Sequence, residues 1–153
     1  MAGPDERHFL FEYLEKRFGI PERIFDDYLL CKRRKSWDLV RNATHIVSAS
    51  QLKVFKVGLK AFRKVGAYVK PTTRMIQIFG QVATRSKIQI DQEQLLHLVD
   101  GKELLVHDTI DNGYVILALS DNRIVGLGFL MDGKLRTQLP RKELRKAMLG
   151  KFP

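Results

Sequence analysis

Residues 87–129 read KIQIDQEQLLHLVDGKELLVHDTIDNGYVILALSDNRIVGLGF, and the fold turns on how this stretch divides. It opens with period two: Ile88 and Ile90 alternate with Lys87 and Gln89, the mark of a short half-buried strand. At Asp91 the period changes. A short carboxylate there caps the free N–H groups of a first helical turn; Leu95, Leu96 and Val99 follow at helical spacing, and Gly101 ends the helix. ELLV, GYVILALS and RIVGLGFLM then read as strands. Asp121-Asn122 makes the turn between the last two, and Asp132-Gly133 makes the turn before KLRTQ. One helix among several hairpin-linked strands predicts an α+β unit.

Downstream, Pro140 is placed to open a final basic helix, RKELRKAML, ended by Gly150. Upstream, residues 72–83 (TTRMIQIFGQVA) read as a helix capped by Thr72 or Thr73. Residues 52–63 (LKVFKVGLKAFR) lie near period two with one slip, which predicts a strand with a bulge or a kink at Gly58; the β-branched valines and Gly58 weigh against an amphipathic helix. YLLCK and SWDLV are two short strands around the polar turn RRKS, and THIVS is a candidate third. Residues 5–18 predict a helix with Asp5 as cap, Phe9, Leu10, Tyr13, Leu14 and Phe18 on its apolar positions and Gly19 as stop; PERIF begins a further short turn. A domain boundary near residue 86 divides the chain into 1–85 and 86–153, two halves expected to pack together.

Charge is the functional clue. The net formal charge of +10 is segregated along the 153 residues. Residues 1–38 hold eight basic and eight acidic residues, 39–90 ten basic and none acidic, 91–133 two basic and eight acidic, and 134–153 seven basic and one acidic. Solubility needs charge but not segregation, so the pattern points to a surface that meets a polyanion. Lys53, Lys56 and Lys60 recur through an otherwise largely apolar segment, and Arg63, Lys64, Lys70 and Arg74 continue the run with no nearby acid to neutralise them. A second cluster holds Lys134, Arg136, Arg141, Lys142, Arg145 and Lys146. On a helix from Pro140, Arg141 and Arg145 share one face, as do Lys142 and Lys146. Each phosphate contact from such clusters releases counterions and makes affinity salt-dependent.

Chemistry finds less support. Cys31, the one cysteine, is flanked by Lys32, Arg33 and Arg34, which favour a thiolate, but its alternating context reads as a structural strand cysteine without a base. A single cysteine fits a reducing, cytoplasmic setting. His8, His45, His97 and His107 show no metal-ligand spacing; His97, His107 and Asp108 form the nearest approach to a site. There is no phosphate-binding P-loop, G-x-S-x-G or H-E-x-x-H, and Gly126-Leu127-Gly128 lacks the third glycine and following helix of a dinucleotide site. No run has the length of a membrane span, and the charged N-terminus lacks a signal-peptide core. No cofactor is expected.

The stretch 87–129 resembles the PUA domain, a small RNA-binding pseudo-barrel. A closer likeness is to the C-terminal RNA-binding region of Sun/Fmu-type RNA 5-methylcytosine methyltransferases, in a free-standing, archaeal-like form. That region carries a glycine–hydrophobic–glycine strand, a basic K/R-L-K/R step and a P-K/R-x-x-R ending; here GLG stands at 126–128, DGKLR at 132–136 and LPRKELR at 139–145. VGLKAF, VKPTT and QIFGQVA are similar to its lead-in, so the resemblance covers about residues 51–148, and RFGIPERIFDDY extends it. It implies RNA binding without methyl transfer, because the catalytic domain and its paired cysteines are missing: the lone Cys31 follows Leu30. Carried over by position, it points to Gly101 and Lys102, then Gly126, Gly128, Lys134 and Arg136. Asp100 and Glu103 beside Gly101 depart from what a phosphate-facing loop needs.

The expected protein is therefore α+β, with an N-terminal α/β segment packed on a C-terminal PUA-like β-pseudobarrel. It is expected to be non-catalytic and to bind structured RNA, tRNA or rRNA, in RNA modification or ribosome biogenesis. The expected contacts are Lys53, Lys56, Lys70, Arg74, Gly101, Lys102, Gly126, Gly128, Lys134, Arg136, Arg141, Lys142 and Arg145. Two alternatives stand beside this reading. One is an accessory module whose acidic block docks on an RNA-modifying enzyme or ribosomal protein; the other is an enzyme using Cys31 or His107.

Overall fold

The computed structural model describes residues 1–42 and 58–140. Helix α1 (Pro4–Phe18) begins with proline in its first turn, where a missing N–H costs nothing. Gly3, not Asp5, is the N-cap. Asp5 and Glu6 instead lie in the first turn and Lys16 and Arg17 in the last, each on the favourable end of the helix dipole. Gly19 ends the helix at φ 66°, its N–H donating to Glu15 O. A single 3₁₀ turn (Glu22–Phe25) follows Pro21. The chain then builds an antiparallel sheet in sequence order from β1 (Tyr28–Lys32), β2 (Ser36–Arg41), β3 (Leu59–Val65) and β4 (Tyr68–Pro71). A bulge lies opposite the step from Trp37 to Asp38 in the β2–β3 pairing. Candidate strand THIVS and the first half of the 52–63 segment lie outside the described residues.

Helix α2 (Thr73–Phe79) is capped by Thr72, whose Oγ1 accepts from Met75 N at 3.1 Å; it is shorter than its sequence suggests and passes into a 3₁₀ turn (Gly80–Val82). The second sheet contains β5 (Lys87–Ile90), β6 (Leu104–Leu105), β7 (Gly113–Leu119), β8 (Ile124–Met131) and β9 (Lys134–Thr137), in the spatial order β5-β7-β8-β9-β6. Strand β5 runs parallel to β7; the other pairings are antiparallel. Between β5 and β6, α3 (Gln92–Val99) starts in a full capping box: Asp91 accepts from Gln94 N, and the Gln94 side chain accepts from Asp91 N. The predicted helix after Pro140 lies outside the described residues.

Two apolar clusters hold the layers together, and β7 and β8 contribute to both. Ile116, Ala118, Ile124 and Leu127 face a cluster built from Leu10, Phe11, Leu14 and Phe18 of α1, with Phe25, Phe62 and Met75. Val115, Leu117, Val125 and Leu130 face the other way, onto Leu95 and Leu98 of α3 and onto Leu135. Burial on both faces explains why GYVILAL is a near-continuous apolar run. The phenylalanines anchor the first cluster: Phe11 stacks on Phe25 with centroids 4.4 Å apart, and each buried ring is worth about 1.5–3 kcal/mol. Packing therefore crosses position 86. Arg17 clasps the same junction, donating from Nε to Tyr114 O and from an Nη to Asp111 O, both at 2.8 Å.

Candidate functional site

Strands β3 and β4 form a hairpin around Gly66-Ala67, and its register decides where the charges meet. Arg63 pairs with Lys70, and Val65 pairs with Tyr68. Paired residues share a face, and so do residues two apart, so one side of the hairpin carries two cations and then, about 7 Å along, an apolar and aromatic pair. The cationic end opens into a groove of about 560 Å³ whose lining includes Lys60, Arg63, Lys70, Arg74, Gln77 and Gln138. Its floor is set by Thr72, whose hydroxyl donates to Lys60 O at 2.6 Å and ties β3 to the start of α2.

Among the described residues, the groove is lined by four cations and no carboxylate. Six ion pairs occur among the described residues, and none engages Lys60, Arg63, Lys70 or Arg74. Lys70 is half-buried; its Nζ donates to Gln138 Oε1 at 3.0 Å and stands 5.5 Å from the centre of the Tyr114 ring. Burial first, and then the Arg63 charge across the ladder, hold this ammonium below the ordinary lysine range. Like charges directly opposite each other weaken a sheet, so the arrangement costs the fold something and is ready for an anion. Gly58 and Pro140 line the same groove. They border the stretches that carry Lys53 and Lys56 on one side and Arg141, Lys142 and Arg145 on the other; those five lie outside the described residues.

The expected contacts on the second sheet fare differently. Gly101 and Lys102 are exposed in the turn after α3, and pairing of β6 with β9 brings that turn towards Lys134 and Arg136. Acids share the place: Arg136 is engaged by Glu103, and Asp100 flanks Gly101. A guanidinium already held by a carboxylate is a poorer phosphate clamp than an unpaired one. Gly126 and Gly128 are buried against the chain's own side chains. A Cβ on Gly126 would stand 2.5 Å from Leu139 Cδ2 and 3.1 Å from Thr73 Cγ2, and one on Gly128 would stand 2.8 Å from Leu135 Cδ1. These glycines admit the chain's own side chains, so their part is packing.

Lys60 and Arg63 belong to the basic run but were not among the expected contacts; the β3–β4 register is what brings Arg63 beside Lys70. For the catalytic alternatives, Cys31 is half-buried on β1, in register with Asp38, whose carboxylate is taken by Arg33. His97 and His107 are exposed, and among the described residues no three of His, Cys, Asp and Glu gather as a metal site. No helix of the described residues is long and apolar enough to cross a membrane.

No family model matches the sequence, and no curated protein does. Among solved structures, the chain is similar to a conserved PUA domain protein from Thermoplasma acidophilum, with a TM-score of 0.51 and 12% identity over 99% of this chain and 85% of that one. The fold is PUA-like. The likeness spans both sheets, so the groove-forming hairpin lies within the matched region. A relation to the Sun/Fmu-type methyltransferases is not among these findings.

Proposed function

We propose that the protein is a non-catalytic, cytoplasmic RNA-binding protein that holds structured RNA by its phosphates in the β3–β4 groove. The observation that carries this is the convergence of Lys60, Arg63, Lys70 and Arg74 on one groove with no carboxylate among the described residues of its lining. Arginine forks match phosphate oxygens, and exposed cations release the counterions condensed on RNA. The PUA-like fold adds support, because PUA domains bind RNA, and the Sun/Fmu resemblance points to tRNA or rRNA during modification or ribosome biogenesis.

The test is the salt dependence of binding. Arg63→Gln combined with Arg74→Gln should weaken binding to a transfer RNA and flatten the plot of log affinity against log salt by about two, roughly one for each charge removed. Both side chains are exposed and Arg63 opposes Lys70, so the thermal midpoint should not fall. An unchanged slope in a folded variant removes the groove from the site. The accessory reading keeps one observation in its favour: Leu105 (72% exposed) and Met131 (46% exposed) sit beside the acidic turns of the second sheet, a surface suited to a basic protein partner.

A further inference from the structure

The hairpin that carries the cations continues into a second groove, of about 630 Å³, whose lining includes Phe9, Val65, Tyr68, Tyr114 and Phe129. Among the described residues no carboxylate lines it; apart from the tyrosines, its polar side chains are Arg17 and Asn112. The aromatic rings are unusually open for their size: Tyr68 is 77% exposed and Phe9 62%, with Val65 at 44% between them. Behind them Tyr114 and Phe129 meet edge to face, their centroids 5.3 Å apart at 72°, which fixes the back wall. An exposed apolar patch of this kind marks a place where something binds.

The two grooves adjoin at Lys70. Lys70 lines the phosphate groove while its ammonium lies over the Tyr114 ring of the aromatic one, and Arg63–Lys70 and Val65–Tyr68 occupy successive same-face rungs of one ladder. Cations at one end and open rings at the other match the two halves of a nucleotide. Resting on the phosphate-groove reading above, we infer that the aromatic groove stacks an unpaired nucleobase of the same RNA whose backbone lies along Lys60, Arg63, Lys70 and Arg74. Bases inside a duplex are stacked on each other and offer no face to a side chain. The RNA must therefore present a single-stranded end, a bulge or an extruded base here. Ring-on-ring stacking tolerates any base, so the groove selects for unpaired structure and not for sequence.

The test uses two RNA hairpins of the same stem, each closed by a non-nucleotide linker so that no loop base is unpaired, one blunt and one with a short unpaired 3′ extension, and reads affinity by fluorescence anisotropy at fixed salt. Tyr68 points into solvent, so Tyr68→Ala leaves the core intact; Phe9→Ala is a second, independent probe. Either substitution should weaken binding to the extended hairpin about tenfold and leave the blunt one unchanged. Tyr68→Trp, which keeps an aromatic face, should restore it. If both alanine variants bind the extended hairpin as the wild type does, the base site is overturned while the phosphate groove stands, and the aromatic groove falls to a protein partner. An equal loss on both hairpins overturns it as well, because the groove then does not read unpaired bases. If the wild-type protein binds neither hairpin, the phosphate-groove reading falls first and takes this inference with it.

Discussion

The ammonium of Lys70 sits half-buried, 3.0 Å from Gln138 Oε1, with Arg63 across the ladder and no carboxylate from the described residues beside it. Its depressed pKa gives binding a pH signature. A phosphate placed beside it would favour the charged form and raise that pKa, so the complex would hold more protons than its separated components. Affinity should then fall as pH rises through the depressed pKa towards the ordinary lysine value of 10.5. Lys70→Arg keeps the charge throughout, because a guanidinium does not titrate there. Measured with a base-resistant 2′-O-methyl RNA, the variant should lose most of the alkaline fall that the wild type shows; equal falls in both would mean that Lys70 makes no phosphate contact. Single residues also mark the limit of sequence reading. Gly126 and Gly128 announce that something approaches the backbone closely, but only coordinates show that it is Leu139, Thr73 and Leu135 and not a ligand. Arg136 looked free along the chain, yet Glu103, far away in sequence, reaches it through the β6–β9 pairing.

Elements were legible where local chemistry and burial agree. The Asp91 capping box and the two turns at Asp121-Asn122 and Asp132-Gly133 follow from residues that favour their own backbone geometry, and the left-handed stop at Gly19 from the lack of a Cβ. Strand β4 was not read, because Tyr68–Pro71 is short, ends in proline and runs straight into the cap of α2. Its hairpin signal was present in Gly66-Ala67 between two β-branched and aromatic flanks, and with it the Arg63–Lys70 pairing could have been drawn. The stop at Gly19 yields a prediction about α1 itself. Gly19 lies at φ 66° directly against Thr84, whose backbone N–H donates to Phe18 O. A methyl group there meets the Thr84 side chain and also pays the left-handed penalty of about 1–2 kcal/mol for a residue with a Cβ. Gly19→Ala should therefore destabilise the protein by at least about 1 kcal/mol in urea unfolding. A midpoint equal to wild type would show that the contact between α1 and the 83–85 segment is not held as described.

For the whole molecule, the charge blocks of the chain become places on the fold. Residues 39–90 carry ten basic and no acidic residues, and the groove contains four of that block; the acidic block 91–133 answers the cations of the second sheet instead. That division explains why the basic run holding Lys70 and Arg74 was legible along the chain while the ion pairing of Arg136 was not: local sequence shows where acids are absent, but tertiary pairing decides which acids return. The shared core of α1 with β7 and β8 holds the groove-bearing sheet in fixed relation to the second one. The proposed RNA path lies on one face of one hairpin. A 17.7 kDa protein is well suited to nitrogen-edited NMR. Titration of the labelled protein with a short hairpin RNA bearing an unpaired extension should shift the amides of residues 59–74 and of Gln138, and leave those of α3 and β6 in place. Shifts gathered instead on residues 92–105, with residues 59–74 unmoved, would contradict the account at its centre.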